Sequence, residues 1–212
     1  MTSVITALSD APGTVEPEPF ADADHPMRKV TRQVAFDGIW NDERADKIAA
    51  LFDGLAPEWA SDHVDELKLG PIVDALDRGN VPLDGRWLEL GSGTGAGTTA
   101  LRERGVDVVV LDLSAEMLAH APDVAPKIRG DASTLPFADH RFDAVLMVNM
   151  LLFPAEVDRI LASDGVVVWV NTRGDQTPIH LPPNDVAAAL PGPWSGLTAR
   201  AGAGLWATLR RG

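Results

Sequence analysis

Between Arg86 and Leu101 the chain reads RWLELGSGTGAGTTAL, and this stretch constrains the fold more than any other. Trp87, Leu88 and Leu90 have the apolar character of a buried strand, after which Gly91, Gly93, Gly95 and Gly97 remove four side chains in seven residues. A backbone stripped in this way turns sharply and lets a ligand approach it closely. Thr98 to Leu101 then read as a helix, whose free N–H groups point at whatever occupies the turn. A plain strand-to-helix loop would share these letters; Glu89 and the acidic residues downstream are what fit a ligand site.

The chain around this turn alternates. Strand-like runs fall at 86–90, 106–111, 142–148 and 165–170, with a weaker one at 127–129, and helical segments lie between them. Such alternation implies right-handed crossovers and a mainly parallel sheet. The end differs, because 194–200 and 205–211 are separated by AGAG and read as an antiparallel hairpin. The expected fold is α/β, a Rossmann-like, seven-stranded, mainly parallel sheet with an antiparallel terminal strand and an N-terminal helical cap.

At 212 residues the chain suits one domain with a sizeable core. Residues 1–25 hold five acidic side chains, no Lys or Arg before Arg28, and prolines at 12, 17 and 19. They are expected as a flexible acidic tail, with a lid that orders over substrate as the alternative. Residues 26–83 are expected as the helical cap and 84–212 as the core. In the cap, Ala45, Ile48, Ala49, Leu51, Phe52 and Leu55 recur at helical spacing behind Asp42, with Gly54 near the end. A second helical stretch follows Pro57, and Pro71 begins a third. These helices precede the first strand of the core, so they can pack across its ligand-binding edge.

The formal net charge of −13 argues against a phosphate-backbone partner, which demands a basic face. A small molecule is the expected partner, with no nucleic acid and no membrane. The chain has no cysteine, which removes disulfides, thiolate nucleophiles and Cys-based metal sites. No metal site and a cytoplasmic location are the corresponding expectations; the N-terminus does not read as a signal peptide.

In open parallel sheets ligands sit beyond the C-terminal strand ends. Glu89 lies in the first core strand. Asp112 ends the VVVL run, where a carboxylate can accept from both hydroxyls of a ribose, or cap the next helix. Asp131, in GDASTLPF, follows the weak strand and can accept from an exocyclic amine, or serve its own turn.

With ELGSGTGAG, LDLSAEML, GDASTLPF and FDAVLMVNMLLF in this order, the chain resembles the class I S-adenosylmethionine-dependent methyltransferases of the small-molecule type. The likeness is strong over residues 84–173 and extends to the terminal hairpin. It implies S-adenosylmethionine as cofactor and methyl transfer to a small organic acceptor at O, N or C. It further implies that Glu89 serves the methionine amino group, that Gly91, Gly93 and Gly95 admit the methionine and ribose portions, and that Asp112 holds the ribose. Leu113 and Met117 would pack on the adenine, Asp131 and the Ala132 N–H would bind its edge, and Asn149 would lie near the sulfur. Met117 reads equally as core packing. FDGLAPEW resembles family lid sequences and puts Trp59 where an aromatic residue covers the cofactor; a plain cap tryptophan is the alternative.

Methyl transfer needs a base only when the acceptor arrives protonated. His180, in the loop after the fifth core strand, and His63, in the lid, are the catalytic candidates. After the fourth strand the chain has NMLLF, where methyltransferases acting on planar nitrogens have Asn or Asp followed by Pro-Pro and an aromatic residue. Two rival readings share the motifs in part. One is a methyltransferase-like scaffold with a non-methylating role, such as a cyclase or partner-binding subunit. The other is a nicotinamide-dependent oxidoreductase, in which GDASTLPF would have no role.

Overall fold

The structure is a computed structural model describing residues 4–22, 24–61 and 66–212. The core strands are β2 (Arg86–Leu90), β3 (Asp107–Asp112), β4 (Lys127–Arg129), β5 (Phe142–Val148), β6 (Leu161–Asn171), β7 (Trp194–Ala201) and β8 (Gly204–Arg211). All seven strands expected from the sequence are present. An eighth, β1 (Val4–Ala7), completes one sheet in the order β1-β7-β8-β6-β5-β2-β3-β4. β8 runs antiparallel to both β6 and β7, and every other neighbouring pair is parallel.

β1 corrects the expectation of a flexible tail. Val4, Ile5 and Thr6 are β-branched and find the open edge of β7, with Val4 opposite Ser195 and Ala7 opposite Thr198. The chain then follows the same edge. The N–H groups of Leu8, Ala11 and Val15 donate to the carbonyls of Thr198, Arg200 and Gly202 at 2.8–2.9 Å, and Glu16 pairs with Arg200 at 2.8 Å. The prolines fall beyond the strand, where they remove no ladder bond. Farther on, the Arg173 guanidinium lies 4.6 Å from the centre of the Phe20 ring. The acidic segment is thus a strap over one end of the sheet.

The cap holds α1 (Pro26–Asp37), α2 (Asp42–Ser61) and α3 (Glu66–Arg78). The sequence divides this region at Pro57 and Pro71, but both prolines lie inside helices. Packing overrides the local break. Ala56 is fully buried, and Asp53 is tied to the core, so the turn before Pro57 is held from outside. Ile72, Ala75 and Leu76, buried just past Pro71, hold α3 in the same way. α1 carries no strong apolar run, and its buried residues are Thr31, Val34 and Ala35.

Alternate residues of the central strands feed two cores. Leu88, Leu90, Val145, Met147, Val167 and Trp169 face one, with α6 (Pro154–Ile160) and α7 (Pro183–Ala189) against them. Trp87, Val108, Val110, Leu146, Val168 and Val170 face the other, with α3, α4 (Ala96–Glu103) and α5 (Ala115–His120). A parallel sheet covered on both faces accounts for strands that read as continuous apolar runs. Among the described residues no helix is long and apolar enough to cross a membrane.

Candidate cofactor site

β2 ends in the glycine turn, where Gly91, Gly93 and Gly95 have φ of +66°, +53° and +89°. Such left-handed backbone favours glycine. Each also has its own neighbour. A Cβ on Gly91 would meet Met150 Sδ at 2.7 Å, whereas a Cβ on Gly93 would have only Met117 Sδ within reach, at 4.0 Å. Gly93 therefore leaves open space in the turn. At Gly95 a Cβ would meet Pro122 Cδ at 2.6 Å, so its bareness lets the chain after α5 close on the turn. Beneath the turn, a Cβ on Gly97 would overlap Glu89 Oε1.

Glu89 is buried, and Thr98 Oγ1 in the first turn of α4 donates to its Oε2 at 2.5 Å. Burial foremost pushes its carboxyl up to about 8, with nearby Asp112 adding to the rise and the Thr98 bond opposing it. Asp112 closes β3 and accepts from two backbone N–H groups, Gly93 to Oδ2 and Ser114 to Oδ1, both at 2.8 Å. Burial raises its pKa against the pull of those bonds. A carboxylate has roughly four acceptor directions, so capacity remains for a ligand hydroxyl. Ser114 also caps α5, and its hydroxyl donates to Asp53 of α2 at 2.5 Å. The cap helix is thereby latched beside the Asp112 carboxylate.

After β4, Asp131 Oδ1 accepts from the Ser133 N–H at 2.7 Å, and Oδ2 accepts from the indole of Trp40 at 2.8 Å. Trp40 lies in the link between α1 and α2 and meets Phe153 edge-on at 5.2 Å. Trp40 is thus an aromatic residue of the cap that reaches a candidate site carboxylate. Trp59 is 42% exposed and packs edge-on against Phe52 at 5.7 Å. Met117 is buried core beside the turn, and Ala132 is buried as well. Leu113, between Asp112 and Ser114, is half-buried.

Asn149, just past β5, is held by the residue after β6. Its φ is +48°, its Nδ2 donates to Thr172 Oγ1 at 2.8 Å, and its Oδ1 accepts from the Thr172 N–H at 2.9 Å. The amide is spent tying the end of β5 to the end of β6. His63 lies outside the described residues. His180 is placed after β6, where its Nδ1 lies 2.9 Å from Asn171 Oδ1. Burial foremost, then Arg28, lowers its pKa, against Asp175 and Asp185.

Trp40, Met150, Asp53 and Thr98 escape sequence reasoning. Only Thr98 had a local signal, as a hydroxyl in the first turn of the helix after the glycines.

Three carboxylates lie on or just past the adjacent strands β2, β3 and β4, and Asp112 among them bonds a turn with open space at Gly93. In that turn Ser92 Oγ is buried with no hydrogen-bond partner among the described residues, an orphan that a ligand acceptor would satisfy. These residues fit a nucleoside carrying a charged amino acid.

Comparison with known proteins agrees with this geometry. The family described as a methyltransferase domain matches residues 88–168, from within β2 into β6. A demethylmenaquinone methyltransferase of Renibacterium salmoninarum is 41% identical over 115 residues, 49% of this chain and 46% of the relative. An uncharacterized methyltransferase of Mycobacterium tuberculosis is 40% identical over 102 residues, 43% of this chain and 42% of the relative. The chain thus spans a little under half the length of these curated relatives. The solved DhpI–SAH complex shares the fold at a TM-score of 0.61 and 24% identity, over 79% of this chain and 97% of that one. The core shares the fold of that solved structure, and its central segment matches the methyltransferase domain family.

Proposed function

We propose that the protein transfers a methyl group from S-adenosylmethionine to a small organic acceptor. The observation that carries this reading is the row of Glu89, Asp112 and Asp131 on or just past the neighbouring strands β2, β3 and β4, the first two bonded to the glycine turn and the helix after it. Glu89 would balance the ammonium of the methionine portion, Asp112 would take the ribose hydroxyls, and Asp131 with the Ala132 N–H would read the adenine edge. Gly93 would give the backbone its close approach, and Leu113 and Met117 would supply the apolar wall. When bound, the sulfonium supplies an activated methyl group.

What this chain's residues then do is chiefly alignment. Holding two reactants in line contributes up to about 7 to 11 kcal/mol in favourable cases. The Asn149–Thr172 bonds support that role by fixing the β5 and β6 ends, from which both reactants would be approached. The net charge of −13 supports a small acceptor over a nucleic acid. Calorimetry with S-adenosylmethionine and S-adenosylhomocysteine tests the reading directly. Binding of both is expected, weakened at least tenfold in Asp112→Ala; no heat and no thermal shift with either compound overturns it.

A further inference from the structure

Residues 130–141, between β4 and β5, form neither helix nor strand. Asp131 and Ala132 stand at the head of this stretch, and with no regular ladder of its own its backbone takes its direction from outside. The outside support is α6. Pro154 starts that helix, Glu156 lies in its first turn and Arg159 in its last, three residues on and so on the same face. Val157 and Ile160, both fully buried, seat the helix in the core.

All five N–H donors of Arg159 are engaged. Nε donates to Glu156 Oε1 at 2.7 Å, and Nη2 donates to Glu156 Oε2 at 2.8 Å and to the Leu135 carbonyl at 3.1 Å. Nη1 donates to the Phe137 carbonyl at 2.7 Å and to Asp139 Oδ1 at 2.8 Å. Glu156 Oε2 also accepts from the Leu135 N–H at 2.6 Å, so both backbone polar groups of Leu135 end on one ion pair. This set requires a planar fork of five donors, whereas a lysine ammonium brings three. The bond from Arg159 foremost holds the Glu156 carboxyl below its ordinary value, against partial burial, so the pair stays charged at neutral pH.

The clamped stretch meets the candidate cofactor site at Asp131. The Thr134 N–H donates to the Asp131 carbonyl at 3.1 Å, closing the turn one residue before Leu135, so a displacement of Leu135 carries to Asp131. Ser133 and Trp40, the two residues bonded to the Asp131 carboxylate, line a cavity of about 180 Å³ together with Glu156 and Phe153. An adenine edge offers a donor, the exocyclic amine, beside an acceptor, the ring nitrogen; hypoxanthine offers the reverse. A carboxylate beside an N–H tells the two apart only while the spacing between them is held.

We propose that Glu156 and Arg159 are positioning residues that hold the 131–137 stretch, and through it make Asp131 and the Ala132 N–H selective for adenine over a base with the reversed edge. The inference rests on the methyltransferase reading, which assigns the adenine to this turn. The test is calorimetry on the full chain with S-adenosylhomocysteine and with S-inosylhomocysteine, its counterpart carrying hypoxanthine. Wild type should prefer the adenine compound by at least about tenfold. Arg159→Lys keeps the charge beside Glu156 but cannot reach all five acceptors, and should cut the preference to less than about threefold. In an Asp131→Ala background, where the preference is already reduced, Arg159→Lys should lower it by a clearly smaller factor. Should Arg159→Lys not fold, Glu156→Gln takes its place in both backgrounds: it keeps an acceptor for the Leu135 N–H, weakens the hold on Arg159, and should lower the preference in the same direction. Loss of affinity for both compounds by the same factor, an equal effect of the variant in both backgrounds, or a wild type without preference overturns the inference. The two readings fail separately: wild type that binds S-adenosylhomocysteine while the preference fails sinks this inference alone, whereas absent binding in wild type sinks the proposed function.

Discussion

The indole N–H of Trp40 donates to Oδ2 of Asp131 at 2.8 Å, joining the link between the first two cap helices to the turn after β4. Asp131 is the carboxylate proposed to receive the adenine amine, so one oxygen stands between a side chain of the protein and the proposed ligand.

If the indole yields on binding, the ligand meets the cost of breaking its bond, a net of about 1 kcal/mol for an ordinary hydrogen bond and more for a charged one. Trp40→Phe keeps a ring for the edge contact with Phe153 and deletes the donor. Its expected result is S-adenosylhomocysteine binding about fivefold tighter by calorimetry, together with a lower melting temperature for the free protein. Equal or weaker binding would assign Trp40 to the bound state as a wall of the site.

This contact marks where sequence reading ends. β2, β3 and β5 were legible because a buried parallel strand is a continuous apolar run, and Asp112 because it closes one. Trp40 and Trp59 carry no signal that distinguishes them, since a bond spanning 91 residues leaves no periodicity behind it. β1 was missed for a related reason: an edge strand takes its partner from the tertiary fold, and acidic, proline-containing neighbours mask it. Pro57 and Pro71 misled in the opposite direction, because local breakers lose to burial of the flanking turns.

Glu89 sets a pH dependence whose sign can be worked out. Its carboxyl is raised from 4.5 to about 8 in the folded chain, so between those values the native state holds a proton that the unfolded state releases. Its contribution is fully present below about 4.5 and is lost as pH rises through about 8. Urea denaturation across this range should show Glu89→Gln with a flatter profile than wild type. At pH 7 an arriving ammonium group would favour the ionised carboxylate, so S-adenosylhomocysteine binding should release protons. Calorimetry in buffers of different ionisation heat reads that release, which Glu89→Gln should abolish.

Gly97 isolates packing from ligand contact. Its added Cβ would overlap Glu89 Oε1 and lie 3.0 Å from Leu146 Cδ2, both in the packed interior. Gly97→Ala should therefore destabilise the protein by about 1 to 3 kcal/mol, the usual range for overpacking, despite alanine's higher helix propensity. Gly54→Ala, in α2 with nothing within 4 Å of its Cβ, is the control and should be neutral or stabilising by up to about 1 kcal/mol in chemical denaturation.

The N-terminal strap offers a test that separates sheet stability from cofactor binding. β1 covers β7 at one edge of the sheet, whereas Glu89, Asp112 and Asp131 lie on or just past β2, β3 and β4 toward the other. Deleting residues 1–16 removes the β1 pairing, the bonds from Leu8, Ala11 and Val15, and the Glu16–Arg200 ion pair. The exposed ion pair contributes about 0 to 1 kcal/mol, so the backbone bonds should dominate the loss. An uncovered β7 also presents unpaired N–H and C=O groups that template association. The shortened protein should melt several degrees lower and self-associate with rising concentration in light scattering. Its affinity for S-adenosylhomocysteine should stay within about twofold of wild type, a difference below about 0.5 kcal/mol. A large loss of affinity with little change in melting would move the strap from sheet edge to cofactor site.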